Sequence, residues 1–313
     1  MFLITGGSGL LAGRLAKFLL ANHQKVRIVT SEEKINELRS FFPKDSIDVV
    51  SIDINDLNSL QFAFKGVNYL LELASPNANE CNHNYSKSVK GKILRSKKIA
   101  EFALHSKELK KVFYFSSIHV YGESLVKKVT EDSLARPISK YALAHRKSEE
   151  IFFNTLKGSK IKVLILRLSN AIGPPISYMS NCWQLVAFDF AKAAVNHNQI
   201  KINSNVENSR DFFPISFLEA AILSLSKKEI SSGIFNISSF SNLKLIELAE
   251  IIKSEFDIIT GRKIDISLPS NKDCVNYVQN FNISNDKILN VTNFNPSMLS
   301  IEHELRKLIK FLL

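Results

Sequence analysis

Thr5-Gly6-Gly7-Ser8-Gly9-Leu10-Leu11-Ala12 is the stretch that decides the fold. The apolar run Phe2–Ile4 stands directly before it, and an amphipathic stretch, Leu10–Ala21, runs on from it. That order is strand, turn, helix. Glycines close the turn tightly and let backbone N–H groups approach an anion. The positive end of the helix dipole then faces that anion. A dinucleotide pyrophosphate is the group such a turn suits, through Gly6, Gly9, Leu10 and Leu11. A tight turn with no ligand is the plainer reading, and the position after the first strand argues against it.

Outward from the turn, Val26–Thr30, Ile47–Ile52, Tyr69–Leu73, Val112–Ser116 and Ile161–Leu166 read as strands. Ser88–His105 and Lys140–Leu156 have helical periodicity. The alternation predicts an α/β fold of Rossmann type, a doubly wound parallel sheet with helices on both faces. After Leu166 the pattern loosens. Gly173-Pro174-Pro175 marks a turn, and Phe235–Ile237 reads as a strand. Leu185–Val195, Lys244–Phe256 and Ile301–Phe311 read as helices, the second capped by Ser241 or Asn242. We expect a dinucleotide-binding domain over residues 1–168, completed by parts of 208–240. Residues 169–313 are expected to build mainly a smaller substrate-binding lobe.

The 313 residues are 45% hydrophobic and 23% charged, an ordinary soluble composition. The formal net charge is +11, but the lysines are scattered. Their densest groups, Arg95, Lys97, Lys98 and Lys107, Lys110, Lys111, read as the solvated face of a helix and its exit loop. No nucleic-acid partner is therefore expected. Cys81, Cys182 and Cys274 lie far apart, without metal or redox spacing, and the histidines form no paired metal motif. No metal is expected, and reduced thiols fit a cytoplasmic setting. No apolar run reaches membrane-spanning length, and Phe2–Ile4 already belongs to the fold, so neither a membrane partner nor a signal peptide is expected.

The turn resembles the TGxxGxxG turn of the extended short-chain dehydrogenase/reductase family, the NAD-dependent epimerase/dehydratase group. Ala12 stands at the third glycine, where a small residue still packs. The resemblance continues in order along the chain. Asp53-Ile54 resemble the pair at the adenine ring, and Leu73-Ala74-Ser75 the strand end beside the cofactor. Ser88-Val89-Lys90-Gly91 resembles NVxG with serine for asparagine. Ser116–Gly122 is similar to SSxxVYG, which puts Ser117 on the family's catalytic serine. Pro137–Glu149 is similar to PxSxYxxSKxxxE, which puts Tyr141 on its catalytic tyrosine. Arg167-Leu168-Ser169-Asn170 resembles the strand and asparagine at the substrate lobe. Arg210-Asp211-Phe212-Phe213 resembles RDFxxV, whose arginine grips a diphosphate, and Gly233–Ile237 resembles GxYNV.

The resemblance implies a nucleotide-sugar substrate, with Ser117 and Tyr141 as the acid–base pair. It also implies substrate contacts at Asn170, Arg210 and His119, the last with a purely structural reading beside it. Tyrosine titrates near pH ~10, too high for a base at neutral pH. The family answers this with a lysine four residues later, on the same helical face. At about 5 Å and an effective dielectric near 20, such a charge favours tyrosinate by roughly 3 kcal/mol, about two pKa units. The same lysine binds the nicotinamide ribose.

Here that position is His145. Three readings stay open. His145 serves as a weaker ribose ligand and relay, or the protein binds dinucleotide without turnover, or another cation fills the role from elsewhere. The tip of the second strand, Val29-Thr30-Ser31, lacks the acidic residue that disfavours a 2′-phosphate, which leans towards NADP over NAD, with Glu32 and Glu33 against. No Asp or Glu stands at 118 or 119, so elimination and decarboxylation lose ground. The expectation is an NAD(P)-dependent oxidoreductase or epimerase acting on a nucleotide-diphosphate sugar, 4-keto reduction slightly ahead of C4 epimerisation. A homodimer through the helices 88–105 and 140–156 is implied. Its rivals are a non-catalytic dinucleotide-binding protein and a reductase of a small carbonyl compound. Trp183 reads as helix packing more readily than as sugar-site lining.

Overall fold

The computed structural model describes all residues except 123–127, 240–241, 269–281 and 296–299. Cys274, one of the three thiols, lies outside the described residues. The chain divides into two compact units. The first comprises Met1–Ser124, Glu131–Leu168 and Ile222–Phe235, and the second Leu125–Thr130, Ser169–Ala221 and Asn236–Leu313.

The first unit is built on β1 (Phe2–Ile4), β2 (Val26–Val29), β3 (Asp48–Val50), β4 (Tyr69–Glu72) and β5 (Lys111–Ser117). In the second unit, β6 (Lys128–Val129) is a short strand. β7 (Lys162–Leu168) returns to the main sheet, and β8 (Asn170–Ile172), β9 (Gln199–Lys201) and β10 (Ser209–Pro214) follow it. β11 (Gly233–Ile237) completes a seven-stranded sheet in the order β11-β7-β5-β4-β1-β2-β3. Every pairing from β3 to β7 is parallel. This is the expected α/β sheet.

The helices are α1 (Leu10–Ala21), α2 (Ile35–Ser40), α3 (Leu57–Phe64), α4 (Ala78–His83), α5 (Gly91–Leu104) and α6 (Lys140–Thr155). Leu3, Leu70, Val112, Tyr114, Val163 and Ile165 bury one sheet face against Leu60 and Phe64 of α3, Ile99 and Ala103 of α5, and Phe152 of α6. Their buried neighbours Phe2, Ile4, Leu71, Phe113 and Leu164 point to the other face, as strand alternation requires.

In the second unit, α7 (Val186–His197) precedes β12 (Asn242–Lys244) and α9 (Leu245–Thr260), while α8 (Ile215–Lys227) begins in the second unit and ends in the first. β13 (Asp265–Ser267), β14 (Asn282–Ile283), α10 (Asp286–Thr292) and α11 (Ile301–Leu312) close the chain. Small sheets of order β12-β10-β8, β13-β9 and β14-β6 carry these segments. Trp183 stacks on Tyr178 and Phe311 and donates its Nε1–H to the Tyr178 carbonyl at 2.8 Å, which is helix packing.

Four sequence expectations are corrected. The long helix starts not at Ser88 but in a π-helical turn, Tyr85–Lys90, with α5 proper beginning at Gly91. The Asn84 side chain accepts the Lys87 N–H and so starts the turn earlier than the apolar period suggests. α9 is not capped by Asn242, which lies in β12, while Ser241 lies outside the described residues. The Glu247 carboxylate instead accepts the Lys244 N–H at 2.8 Å. Arg95 is only partly solvated, because it pairs with buried Glu72 at 3.0 Å. Lys111 is buried at the start of β5, where its ammonium donates to the carbonyls of Leu225, Ser226 and Lys228 at 2.8, 3.0 and 2.5 Å. That capping of the last turn of α8 replaces its solvation.

Candidate active site

The β1–α1 turn is held from below. The Thr5 hydroxyl accepts the N–H groups of Leu73 and Ala74, both at 3.0 Å, which ties the turn to the end of β4. Gly6 has φ +72°, and a Cβ there would meet the Ala74 backbone at 3.2 Å. A Cβ on Gly7 would meet the Val29 carbonyl and Leu38 Cδ2, each at 2.9 Å. Gly9 caps α1 with no side-chain hydrogen bond, and the first turn holds no acidic residue. The leading N–H groups of α1, at half-buried Leu10 and Leu11, therefore keep their capacity for an anion. At the tip of β2 the buried Thr30 hydroxyl oxygen has no partner among the described residues. A backbone cradle with no room for side chains and an orphaned hydroxyl beside it fit a dinucleotide.

Asp53 and Ile54 lie between β3 and α3. Ile54 packs on the core, and the exposed Asp53 carboxylate accepts the Asn55 N–H at 2.9 Å. Ser75 is exposed just beyond β4.

The chemical residues come together at the end of β5 and the first turns of α6. Ser117 is buried, and its Oγ accepts the His119 N–H at 3.3 Å, capping the 3-10 turn Ile118–Tyr121. That turn ends at Gly122, φ +86°, where a Cβ would lie 2.4 Å from the Arg136 carbonyl oxygen. Ser139 caps α6 by accepting the Ala142 N–H at 3.1 Å. Tyr141 then falls in the first turn, its ring packed with Ile93 on Cys81, Val89 and Ala144. Burial pushes the Tyr141 phenol up to about 12, while the neighbouring Ser117 hydroxyl works the other way. Exposed His119 stands edge-on to Tyr141, ring centroids 6.3 Å apart.

His145 is buried, its ring T-shaped on Tyr141 at 4.5 Å. Nδ1 lies 3.2 Å from the Tyr114 hydroxyl and Nε2 lies 3.3 Å from Ser75 Oγ. Burial, then the charge of Lys92 and of His119, holds the imidazole well below its ordinary pKa. It is neutral at pH 7, with one donor and one acceptor nitrogen, so it adds no charge beside Tyr141.

Glu149 anchors this helix two turns on. It is fully buried and accepts Ser116 Oγ at 2.6 Å, Arg167 Nε and Nη2 at 3.0 and 2.7 Å, and Arg146 Nη1 at 3.1 Å. Arg167 also lies over the Tyr121 ring at 4.7 Å. Strand β5, strand β7 and helix α6 are locked through one carboxylate, which fixes Tyr141 relative to Ser117.

Asn170 and Arg210 belong to the second unit. The Asn170 amide donates to the Asp211 carbonyl at 2.8 Å. Arg210 is exposed on β10, and its guanidinium has no hydrogen-bond or ion-pair partner among the described residues. Buried Asp211 beside it accepts from Ser169 and from the Ser239 N–H.

Sequence reasoning missed Lys92. It lies in the first turn of α5 and is 5% exposed, with its Nζ 5.4 Å from the Tyr114 ring centroid. Its signal was available, because 92, 96, 99 and 103 form one helical face whose other members, Ser96, Ile99 and Ala103, are small or apolar and buried. Among the described residues no cluster of metal-ligating side chains occurs, and no helix is long and apolar enough to cross a membrane.

The chain matches the NAD dependent epimerase/dehydratase family over residues 2–238. It is 26% identical over 272 residues to the uncharacterized protein MJ1055 of Methanocaldococcus jannaschii, covering 80% of this chain and 79% of that one. To putative UDP-arabinose 4-epimerase 2 of Arabidopsis thaliana it is 25% identical over 280 residues, 80% of this chain and 66% of that one. The UDP-glucuronic acid 4-epimerase of Bacillus cereus in complex with NAD superimposes with a TM-score of 0.78 at 20% identity, covering 99% and 98% of the two chains. The UDP-glucose 4-epimerase of Thermotoga maritima with UDP-glucose gives 0.79 at 20% identity, covering 99% and 97%. At these identities the structural likeness speaks to the fold.

Proposed function

The chain belongs to the NAD-dependent epimerase/dehydratase family, and from that premise we propose that it inverts C4 of a nucleotide-diphosphate sugar. The observation that carries this reading is the placement of Ser117 at the end of β5 and of Tyr141 in the first turn of α6, with the Ser117 hydroxyl acting on the buried phenol. Bound on the β1–α1 turn, NAD supplies the hydride acceptor for the sugar carbon. Tyr141 takes the proton of the sugar hydroxyl and returns it, and Ser117 holds the same oxygen by hydrogen bond. His145 keeps the tyrosine ring in place and offers Nε2, beside exposed Ser75, to the ribose. Arg210 is the proposed diphosphate ligand, and Asn170 and His119 are proposed substrate contacts.

NAD is proposed over NADP. Glu32 and Glu33 follow Thr30 on an exposed turn, and like charge there opposes a 2′-phosphate. A cofactor restored within each turnover suits epimerisation, whereas 4-keto reduction needs an outside reductant every cycle. The absence of a carboxylate at Ile118 and His119 favours both over elimination. A cytoplasmic homodimer through α5 and α6 is proposed with it. α5 leaves Leu94 and Leu104 exposed at 49% and 40%. Sedimentation checks the dimer.

One observation favours a second reading, a dinucleotide-binding protein without turnover. Burial raises the Tyr141 pKa and a neutral His145 does nothing to lower it. The deciding experiment incubates the NAD-loaded protein with UDP- and dTDP-linked hexoses, uronates and pentoses in deuterated water, and analyses the products by chromatography and NMR. A C4 epimer that Tyr141→Phe fails to make establishes the enzyme. Tight NAD binding with no product from any sugar nucleotide establishes the second reading.

A further inference from the structure

Two fully buried polar atoms near the head of α5 lack partners among the described residues, and beside them stands the ammonium of Lys92, a residue 5% exposed. The Lys92 ammonium has no hydrogen-bond or ion-pair acceptor, and its contact is the Tyr114 ring face. Glu72 Oε2 and Arg95 Nη2 are likewise unpaired, although Glu72 Oε1 and Arg95 Nε pair with each other. Lys92 and Arg95 line a groove of about 520 Å³ with Ala74, Ser75 and Ser88. A buried ammonium with no acceptor is costly unless something else completes it. The same groove carries the end of β4, which the Thr5 hydroxyl ties to the glycine turn.

Lys92 also connects to the catalytic tyrosine. Its charge faces the Tyr114 ring, the Tyr114 hydroxyl contacts His145 Nδ1 at 3.2 Å, and His145 packs on Tyr141 at 4.5 Å. A lysine at 145 would put a charge where His145 puts a neutral ring. Lys92 brings one to the Tyr114 ring, whose hydroxyl contacts His145, from a different helix.

We propose that Lys92 is the cationic ligand of the dinucleotide's nicotinamide ribose, reaching the site from α5 and so replacing the lysine that the resemblance puts one turn after Tyr141. The proposal rests on the reading that this site takes a dinucleotide. In it, His145 Nε2 and Lys92 Nζ share the ribose hydroxyls, and Tyr114 contacts both groups. The groups facing Lys92 are Glu72 on β4, Arg95 on α5, Cys81 on α4, Tyr114 on β5 and His145 on α6. Burial lowers the Lys92 pKa to about 8, with Glu72 opposing and Arg95 assisting. Tyr114 is held as the neutral phenol by burial.

The test compares NADH with ADP, which lacks the nicotinamide ribose, by fluorescence titration and displacement. Lys92→Met is expected to weaken NADH at least tenfold and to leave ADP within about threefold, consistent with a lost charge-assisted hydrogen bond. Adding His145→Lys to that variant is expected to return NADH affinity to within about threefold of the original. Unchanged NADH binding in Lys92→Met overturns the proposal. So does an equal loss for NADH and ADP, or failure of the rescue. If Lys92→Met does not fold, the unsubstituted protein decides. A selectivity for NADH over ADP that falls tenfold from pH 7 to 9.5 supports the ribose role, and constant selectivity overturns it. Absence of NADH binding by the unsubstituted protein defeats the dinucleotide reading itself, a separate outcome.

Discussion

The glycine turn at residues 5–12 and the first turns of α6 at residues 139–149 meet opposite demands. The first works through backbone. Its glycines sit where a Cβ would strike Val29, Leu38 or the Ala74 backbone, and its helix end has no side-chain cap. Side chains could only obstruct it. The second works through side chains that must arrive from different elements, Ser117 from β5, Tyr114 from β5, Lys92 from α5 and Glu149 from α6 itself. A backbone device is written in adjacent residues. A side-chain device is distributed, and its parts can move to other positions while the chemistry stays.

The largest way to break the comparison is Glu149→Gln. Removing one partner leaves Arg167 charged and buried, at a cost of about 3–5 kcal/mol. Thermal or urea unfolding reads it, and a loss under about 1 kcal/mol would contradict the anchor assigned to this carboxylate.

Tyr141→Phe comes next. Loss of the proton carrier lowers kcat by about a thousandfold, within the range for general acid–base groups. NADH affinity stays within about threefold. Turnover that survives the change would remove Tyr141 from the chemistry.

Gly7→Ala tests the other side. The methyl group meets a backbone carbonyl at 2.9 Å, so the turn must shift. Overpacking of this kind costs about 1–3 kcal/mol. Melting and NADH titration should fall together. At 141 the two readouts should separate, and that contrast sharpens the distinction.

The smallest effect is pH dependence from His145. Its folded pKa lies well below the unfolded value near ~6.5. The unfolded chain therefore binds a proton that the native chain refuses. Stability from this group is complete above the unfolded pKa and is lost as pH falls from about 6.5 towards the folded pKa, by at most about 1.4 kcal/mol per pH unit. Melting between pH 7 and 5 should show this slope, and His145→Gln should flatten it.

How far the sequence could be read follows from the same contrast. The parallel sheet was legible because buried strands write continuous apolar runs, as in Leu164-Ile165-Leu166 and Val112-Phe113. Ser117 and Tyr141 were legible because they sit in short motifs. Helix α4 went unseen although Asn77 and Glu80 form a capping box, with Asn77 Oδ1 accepting the Glu80 N–H at 2.8 Å and Glu80 Oε2 accepting the Asn77 N–H at 2.7 Å. The box precedes only six residues, too few for an amphipathic period to show. Arg95 and Lys111 were misread because charge in a sequence looks solvated until its partner is found. Glu72 and the last carbonyls of α8 are each far from them along the chain.

Lys111 carries one more consequence, in the language of chemical footprinting. An amine attacks an acylating reagent through its lone pair, and an ammonium donating to the carbonyls of Leu225, Ser226 and Lys228 has none exposed. Surface lysines such as Lys97, Lys107 and Lys110 will be modified at once. Lys111 will stay silent until the start of β5 parts from the end of α8. Its rate of labelling is then a native clock for the opening of that edge, with no probe introduced.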